Sequence, residues 1–175
     1  MAARLSAPQL NKLFVADLGE IYRLKSDIDK KPILISPATN EDIVYKVYIF
    51  NCTNPPGGRT LDEYKIQLIL PGQGRGNRGY LDESDGTVIL LVGFAIYDSC
   101  ENGVWIIWET DRHREFAYSA NLQVKMGTLL DTITNHVFFT QKPGNGEYIV
   151  VADREHLPQA VALRGKIDVD LLMEE

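Results

Sequence analysis

Three residues have the types and the order of a metal-dependent nuclease site. Glu63 and Lys65 form a Glu-x-Lys pair at the start of a strand-like segment, and Asp42 lies upstream of them. In such a site the carboxylates hold Mg²⁺, and the lysine stabilises the charge that develops on phosphate. The alternative interpretation involves no catalysis. In it, Glu63 pairs with a neighbouring arginine while Lys65 and Gln67 face a ligand.

Positive charge and glycine flank this segment on both sides. The loop before it contains Arg59, and the loop after it contains Arg75, Asn77 and Arg78. Arginine binds phosphate well, and glycine lets the backbone approach phosphate closely. The second loop also has the spacing GxGxxG over residues 74–79, but a dinucleotide site needs a helix directly after that motif. A turn and a strand follow here, so we expect no cofactor in this domain.

Polar and apolar residues alternate in two separate segments. In the first, Lys65 and Gln67 point away from the apolar positions, and in the second Asn121, Gln123 and Lys125 do the same. Amide side chains pair with adenine edges, and lysine pairs with guanine, so such rows suit base recognition in the major groove. A strand that simply faces solvent has the same pattern, and both interpretations stay open.

Cations also follow the apolar run VWIIWE. Arg112, His113 and Arg114 form this cluster, and Tyr118 lies close to it as a candidate for ligand contact. Two arginines that flank a histidine in a loop suit phosphate binding, although a solvated loop would have the same composition. The three histidines of the chain lack the spacing of metal ligands, so we expect no metal site.

The composition indicates one globular domain over residues 1–175. It is 45% hydrophobic and 24% charged, with no apolar run of membrane-spanning length. Two cysteines do not make a disulfide framework, which favours a reduced, cytoplasmic protein. The net charge of −6 argues against a protein that coats nucleic acid indiscriminately, but it is compatible with a localised basic surface.

Periodicity predicts a mainly β, α+β fold with a helix near each end. Strands that outnumber helices and do not alternate with them favour an antiparallel, curved sheet or barrel. The predicted strands are residues 44–50, 64–70, 87–96, 104–109, 119–125 and 148–152, and the predicted helices are residues 8–23, 127–137 and 154–163.

Three segments together resemble the sequence-recognition domains of bacterial restriction endonucleases. They are TNPPGGRTLDEYKIQLILPGQGRGNRGY, TVILLVGFAIYD and WETDRHREFAYSANLQVK, and the resemblance covers residues 44–125. The EcoRII N-terminal type of DNA-binding pseudobarrel is the most similar, and the SRA-type methylation-sensing barrel is the second choice. The resemblance implies site-specific binding of double-stranded DNA by two arms of a β-barrel in the major groove. It also implies that chemistry resides in a separate nuclease domain of the parent protein.

The sequence thus leads to the hypothesis of a single DNA-recognition domain without catalytic residues of its own. Three alternatives stay open: an Mg²⁺-dependent endonuclease that uses Asp42, Glu63 and Lys65, a reader that flips out a modified cytosine, and an interaction domain that binds no nucleic acid. The predicted DNA-binding residues are Arg59, Lys65, Gln67, Arg75, Asn77, Arg78, Arg112, His113, Arg114, Tyr118, Asn121, Gln123 and Lys125.

Overall fold

The protein has an α+β architecture in which strands outnumber helices, as the sequence predicted. The computed structural model describes residues 4–54, 62–118, 120–141 and 144–174. The helices are α1 (Ala7–Leu18), α2 (Met126–Asn135) and α3 (Leu157–Glu174), so a helix lies near each end of the chain. The strands are β1 (Tyr22–Leu24), β2 (Ile33–Pro37), β3 (Tyr45–Cys52), β4 (Glu63–Leu68), β5 (Gly79–Tyr80), β6 (Val88–Ala95), β7 (Val104–Trp108), β8 (Glu115–Phe116), β9 (Ala120–Lys125), β10 (Phe138–Gln141) and β11 (Ile149–Asp153).

Seven of the strands form one sheet in the order β1-β2-β3-β6-β7-β11-β10. Neighbours run antiparallel except β3 and β6, which are parallel. Parallel neighbours need a long crossover connection, and here that connection carries β4 and β5 out of the sheet. Strands β1 and β10 are the two edges, so the described strands form an open sheet and no closed barrel. The expected pseudobarrel is therefore not confirmed.

Helix α1 is shorter than the periodicity predicted. It begins with a capping box, in which Ser6 accepts a hydrogen bond from the backbone N–H of Gln9, and the Gln9 side chain accepts one from the backbone N–H of Ser6. It ends at Gly19, whose φ of 65° lies in the left-handed region that favours glycine. The chain then turns into β1, so the predicted helical segment to Arg23 is wrong after Leu18.

Each face of the seven-stranded sheet has its own hydrophobic core. Helices α1 and α3 cover one face, where Phe14 packs edge-on against Trp105 with 5.2 Å between the ring centroids. Strands β4 and β9 and helix α2 cover the other face through residues that include Ile66, Leu122 and Leu129. The central strands are consequently buried on both sides. This explains why their sequences are continuously apolar rather than alternating.

Gly93 on β6 sets how closely β4 approaches the sheet. A Cβ atom at this position would lie 2.8 Å from Ile66 Cγ2 and 2.8 Å from Trp108 Cζ3. Both neighbours are fully buried, so they have little room to move. The absence of a side chain at Gly93 is therefore what lets β4 lie flat on this face.

We expect Gly93→Val to destabilise the fold by about 1–3 kcal/mol or more, because it overpacks the core beneath β4. Urea unfolding followed by tryptophan fluorescence would measure the loss. Gly127→Ala is the matched control, since nothing lies within 4 Å of a Cβ built at Gly127. Equal stability of Gly93→Val and the wild type would contradict the close packing of β4.

None of the helices within the described ranges is long and apolar enough to cross a membrane. Cys52 is buried and Cys100 is exposed, and both are free thiols.

Candidate nucleic-acid interface

Strands β4 and β9 pair with each other to form a two-stranded antiparallel ribbon outside the main sheet. The register places Gln67 opposite Asn121 and Lys65 opposite Gln123. Glu63 lies opposite Lys125 at the far end. The two polar rows that the sequence predicted separately are thus neighbouring halves of one surface. We call it the polar face, and it consists of Glu63, Lys65, Gln67, Asn121, Gln123 and Lys125.

The opposite side of the ribbon fixes it to the sheet. Ile66, Leu68, Leu122 and Val124 are each at most 3% exposed and belong to the second core. Burying such a side chain contributes roughly 1.5–3 kcal/mol, so the four together hold the ribbon firmly. In addition, the indole nitrogen of Trp108 donates a hydrogen bond of 3.1 Å to the backbone carbonyl of Gln123.

Backbone hydrogen bonds also join the ribbon to the end of β3. The amide of Thr53 donates to the carbonyl of Lys65 at 2.9 Å, and the amide of Lys65 donates to the carbonyl of Thr53 at 2.8 Å. A further hydrogen bond, of 2.7 Å, runs from the amide of Met126 at the start of α2 to the carbonyl of Asp62 just before β4. The polar face therefore stands on a rigid support, which is what precise recognition of a ligand requires.

The polar face has an amide-rich end and a charge-paired end. At the amide-rich end, Lys65 Nζ donates a hydrogen bond of 2.9 Å to Asn121 Oδ1, and Gln67 is exposed beside them. At the other end, Lys125 Nζ lies 3.4 Å from carboxylate oxygens of both Asp62 and Glu63. A negatively charged ligand would therefore favour the amide-rich end.

The glycine-rich loop 71–78 begins close to the amide-rich end. Gln73 orders it, because its side chain accepts a hydrogen bond from the amide of Leu70 at 3.0 Å and donates one to the carbonyl of Asn77 at 3.0 Å. Arg75 and Asn77 are exposed on this loop. Arg78 instead pairs with Glu115 at 2.7 Å. Strand β5, not a helix, follows the GxGxxG spacing, so the geometry of a dinucleotide site is not formed.

The predicted cation cluster after β7 is largely occupied by protein partners. Arg112 contacts Glu109 at 3.3 Å and donates to the backbone carbonyls of Asn145 and Gly146. Arg114 binds two carboxylates, Asp111 at 2.6 Å and Glu83 at 2.8 Å. These arginines hold loops together. Their contact with a ligand stays a prediction.

His113 belongs to the same cluster and lies beside the ribbon. Its Nε2 lies 2.8 Å from Oε1 of Glu147, which is itself buried. Both residues line a cavity of about 170 Å³ next to β9 that also contains Asn121 and Gln123. The described residues that line this cavity include no Phe, Tyr or Trp side chain. Tyr118 is half-buried, and Arg59 lies outside the described residues.

The topology separates Asp42 from Glu63 and Lys65, and the nuclease alternative stays a prediction. Glu63 and Lys65 do share one face of β4, as that alternative requires. Asp42, however, precedes β3, whereas Lys65 bridges Thr53 just after β3 ends. An eight-residue strand spans roughly 26 Å, but Mg²⁺ ligands lie about 2 Å from the metal. Across the described ranges, no group of three or more His, Cys, Asp or Glu side chains is placed to hold a metal ion.

Sequence reasoning missed a second cavity, of about 330 Å³, on the other side of β4. Its lining includes Arg4, Lys31 and Lys65. Arg4 and Lys31 are single cations in segments without a motif, so no signal in the sequence could have placed them next to the polar face.

The fold and the site define a small α+β domain that carries a rigid polar ribbon on one face of an open sheet. The chain belongs to the methylase-associated X1 family, whose family model matches residues 43–161. That description associates the domain with methylases and thus with restriction–modification. The match spans both strands of the ribbon, whereas Arg4 and Lys31 precede it. No curated protein and no solved structure matches the chain.

Proposed function

We propose that this domain recognises a short sequence in double-stranded DNA through its polar face and directs a restriction–modification enzyme to that site. The observation that carries the proposal is the register of β4 with β9. It places Lys65, Gln67, Asn121 and Gln123 side by side on a surface that the core holds rigid. The methylase-associated family supports the same setting.

The dimensions of the ribbon suit the major groove. That groove is about 12 Å wide and admits a two-stranded β-ribbon. Side chains two residues apart on a strand are separated by roughly 6.8 Å, which equals about two base-pair rises of 3.4 Å. The three cross-strand pairs of the polar face therefore extend over about 14 Å, or roughly five base pairs. We therefore expect a recognition site of roughly five base pairs.

The chemistry of the amide-rich end suits base edges. Gln67, Asn121 and Gln123 each present an amide that can donate to and accept from adenine, and Lys65 can donate to guanine. In the protein without DNA, Lys65 donates a hydrogen bond to Asn121. Contacts with bases would replace this hydrogen bond when DNA binds. We expect Arg75, which is exposed on the loop that follows β4, to contact the adjacent phosphates.

The charge distribution of the polar face favours DNA binding at its amide-rich end. Asp62 and Glu63 neutralise Lys125 at the far end of the polar face, and the whole chain carries a net charge of −6. Non-specific attraction to DNA is consequently weak, so base contacts must supply much of the discrimination. A nuclease or methylase domain, in the parent protein or in a partner, would perform the chemistry.

Selection from a randomised duplex library tests this function, with Mg²⁺ present and the recovered DNA examined on a gel. We expect enrichment of one motif of roughly five base pairs, since that is the reach of the polar face, and intact DNA. Cleaved DNA would favour an endonuclease, and enrichment that depends on a modified cytosine would favour base flipping. No enrichment at all would overturn DNA recognition.

A further inference from the structure

The cavity of about 330 Å³ beside β4 lies between α1, β3 and β4. The polar residues that line it are Arg4, Lys31, Lys65, Asn51, Thr53 and Gln67. Three of these residues are cationic, and no carboxylate is among the described residues that line it. Ala7 at the start of α1 also contributes, so the positive end of the helix dipole adds to the potential.

Lys31 is the most informative of these cations. It is partly buried, and its Nζ lies 3.8 Å from the centroid of the Phe50 ring. No carboxylate lies within ion-pairing distance of it in the part of the chain that the structure describes. Burial lowers the pKa of Lys31 because the charged form has lost solvent. A negatively charged ligand in the cavity would stabilise the charged form of this group.

Asn51 holds the other side of the cavity in place. Its side-chain oxygen accepts a hydrogen bond of 2.9 Å from the amide of Leu5, and its side-chain nitrogen donates one of 2.8 Å to the carbonyl of Leu5. These two bonds tie down the segment that carries Arg4. The cavity is therefore a built feature of the fold.

We propose that this cavity binds a phosphoryl group. Arg4 and Lys31 supply the charge, and Lys65 connects the cavity to the polar face. If the proposed function holds, the group is a phosphate of the DNA strand that passes the amide-rich end of the ribbon. The cavity then acts as an anchor that sets the register of the polar face on the bases, because phosphate contacts position a protein while base contacts specify the sequence.

The NMR signals of the Lys31 ammonium group and its Cε atom, in protein with isotopically labelled lysine, provide the test. We expect inorganic phosphate to shift these signals and to raise the pKa of Lys31, since a nearby anion favours the charged form. The selected duplex should do the same if DNA is the source of the phosphate. Lys30 is the internal control, because it is an exposed neighbour outside the cavity lining.

The variant Lys31→Met gives an independent readout. It should abolish the phosphate-induced shifts of the other residues that line the cavity, such as Asn51, and lower the slope of log affinity against log salt by about one unit for all DNA sequences alike. Lys30→Met removes the same charge and should leave both unchanged. Without phosphate, Lys31→Met should melt at or above the wild-type temperature, because it removes a desolvated charge. A residue with only a structural role would lower the melting temperature instead.

The two proposals fail in different ways. A phosphate response at Lys31 in a protein without DNA affinity would sustain the cavity and overturn DNA recognition. DNA binding that leaves Lys31 unshifted, together with no response to inorganic phosphate, would overturn the cavity alone. Equal responses of Lys30 and Lys31 would also overturn it.

Discussion

Replacing Gln67 or Asn121 by alanine is expected to weaken binding of the selected duplex about 5- to 150-fold, because a lost pair of base contacts costs roughly 1–3 kcal/mol. Each variant should also relax the preference at one position of the motif and keep it at the others. The two residues are cross-strand neighbours, so they should affect adjacent or nearby positions. Fluorescence anisotropy and a repeated selection would measure both effects.

The matched control is Gln159→Ala, since Gln159 is an exposed glutamine on α3 away from the ribbon. It should bind DNA like the wild type. Gln67 and Asn121 are also exposed, so their variants should fold and melt normally, and any loss of affinity can be assigned to the interface. Wild-type affinity and unchanged preference in both variants would contradict recognition by the polar face.

Arg164→Ala is expected to cost about 3–5 kcal/mol of folding stability at neutral pH, because it breaks a buried ion pair. Arg164 is fully buried. Its Nε donates a hydrogen bond of 3.0 Å to Asp168, and its Nη1 donates one to the backbone carbonyl of Tyr148, next to β11. The change removes both contacts. Thermal unfolding should show a decrease of roughly 6–20 °C for a domain of this size.

The pH dependence of this loss follows from Asp168. Burial already raises the pKa of the Asp168 carboxyl, against the opposing effect of Arg164. Without the guanidinium group, that pKa rises further. A carboxyl with a raised pKa in the folded state favours folding at low pH and loses that contribution as the pH rises. The defect of Arg164→Ala should therefore be largest at neutral pH and shrink in acid.

Lys166→Ala controls for helix α3, because Lys166 is exposed on the same helix. It should change the melting temperature little. Replacing both Arg164 and Asp168 by apolar residues should recover part of the lost stability, since no buried charge is then left alone. A destabilisation by Arg164→Ala no larger than that of Lys166→Ala would refute the structural role of the pair.

Local patterns predicted much of the fold because they depend on neighbouring residues. The alternation of Lys65 and Gln67 with apolar positions identified β4 and its outward face, and the same holds for β9. The end of α1 was missed because the apolar pattern continues past Gly19, and only its backbone conformation ends the helix. Helix α3 runs beyond the predicted residue 163, where the ion pair of Arg164 with Asp168 bridges successive turns.

The pairing of strands that are far apart in the chain could not be predicted from the sequence. Nothing local indicates that β3 and β6 run parallel, so the sequence favoured a barrel where the described strands form an open sheet. The two polar rows were recognised, but their pairing joins residues 56 positions apart, as the contact of Lys65 with Asn121 shows. The sequence predicted Arg112 and Arg114 as ligand-binding residues because their ion pairs could not be foreseen. In the structure Glu109 pairs with Arg112, and Asp111 and the distant Glu83 pair with Arg114.

Side-chain amide NMR of the protein in complex with its selected duplex tests the central claim most directly. The NH₂ signals of Gln67, Asn121 and Gln123 should shift and slow in exchange as DNA is added, because their groups become hydrogen-bonded to base edges. The NH₂ signal of Gln159 should stay in place. Shifts confined to Gln159 or to other residues outside the ribbon, with the three polar-face amides unchanged, would contradict recognition of DNA by this surface.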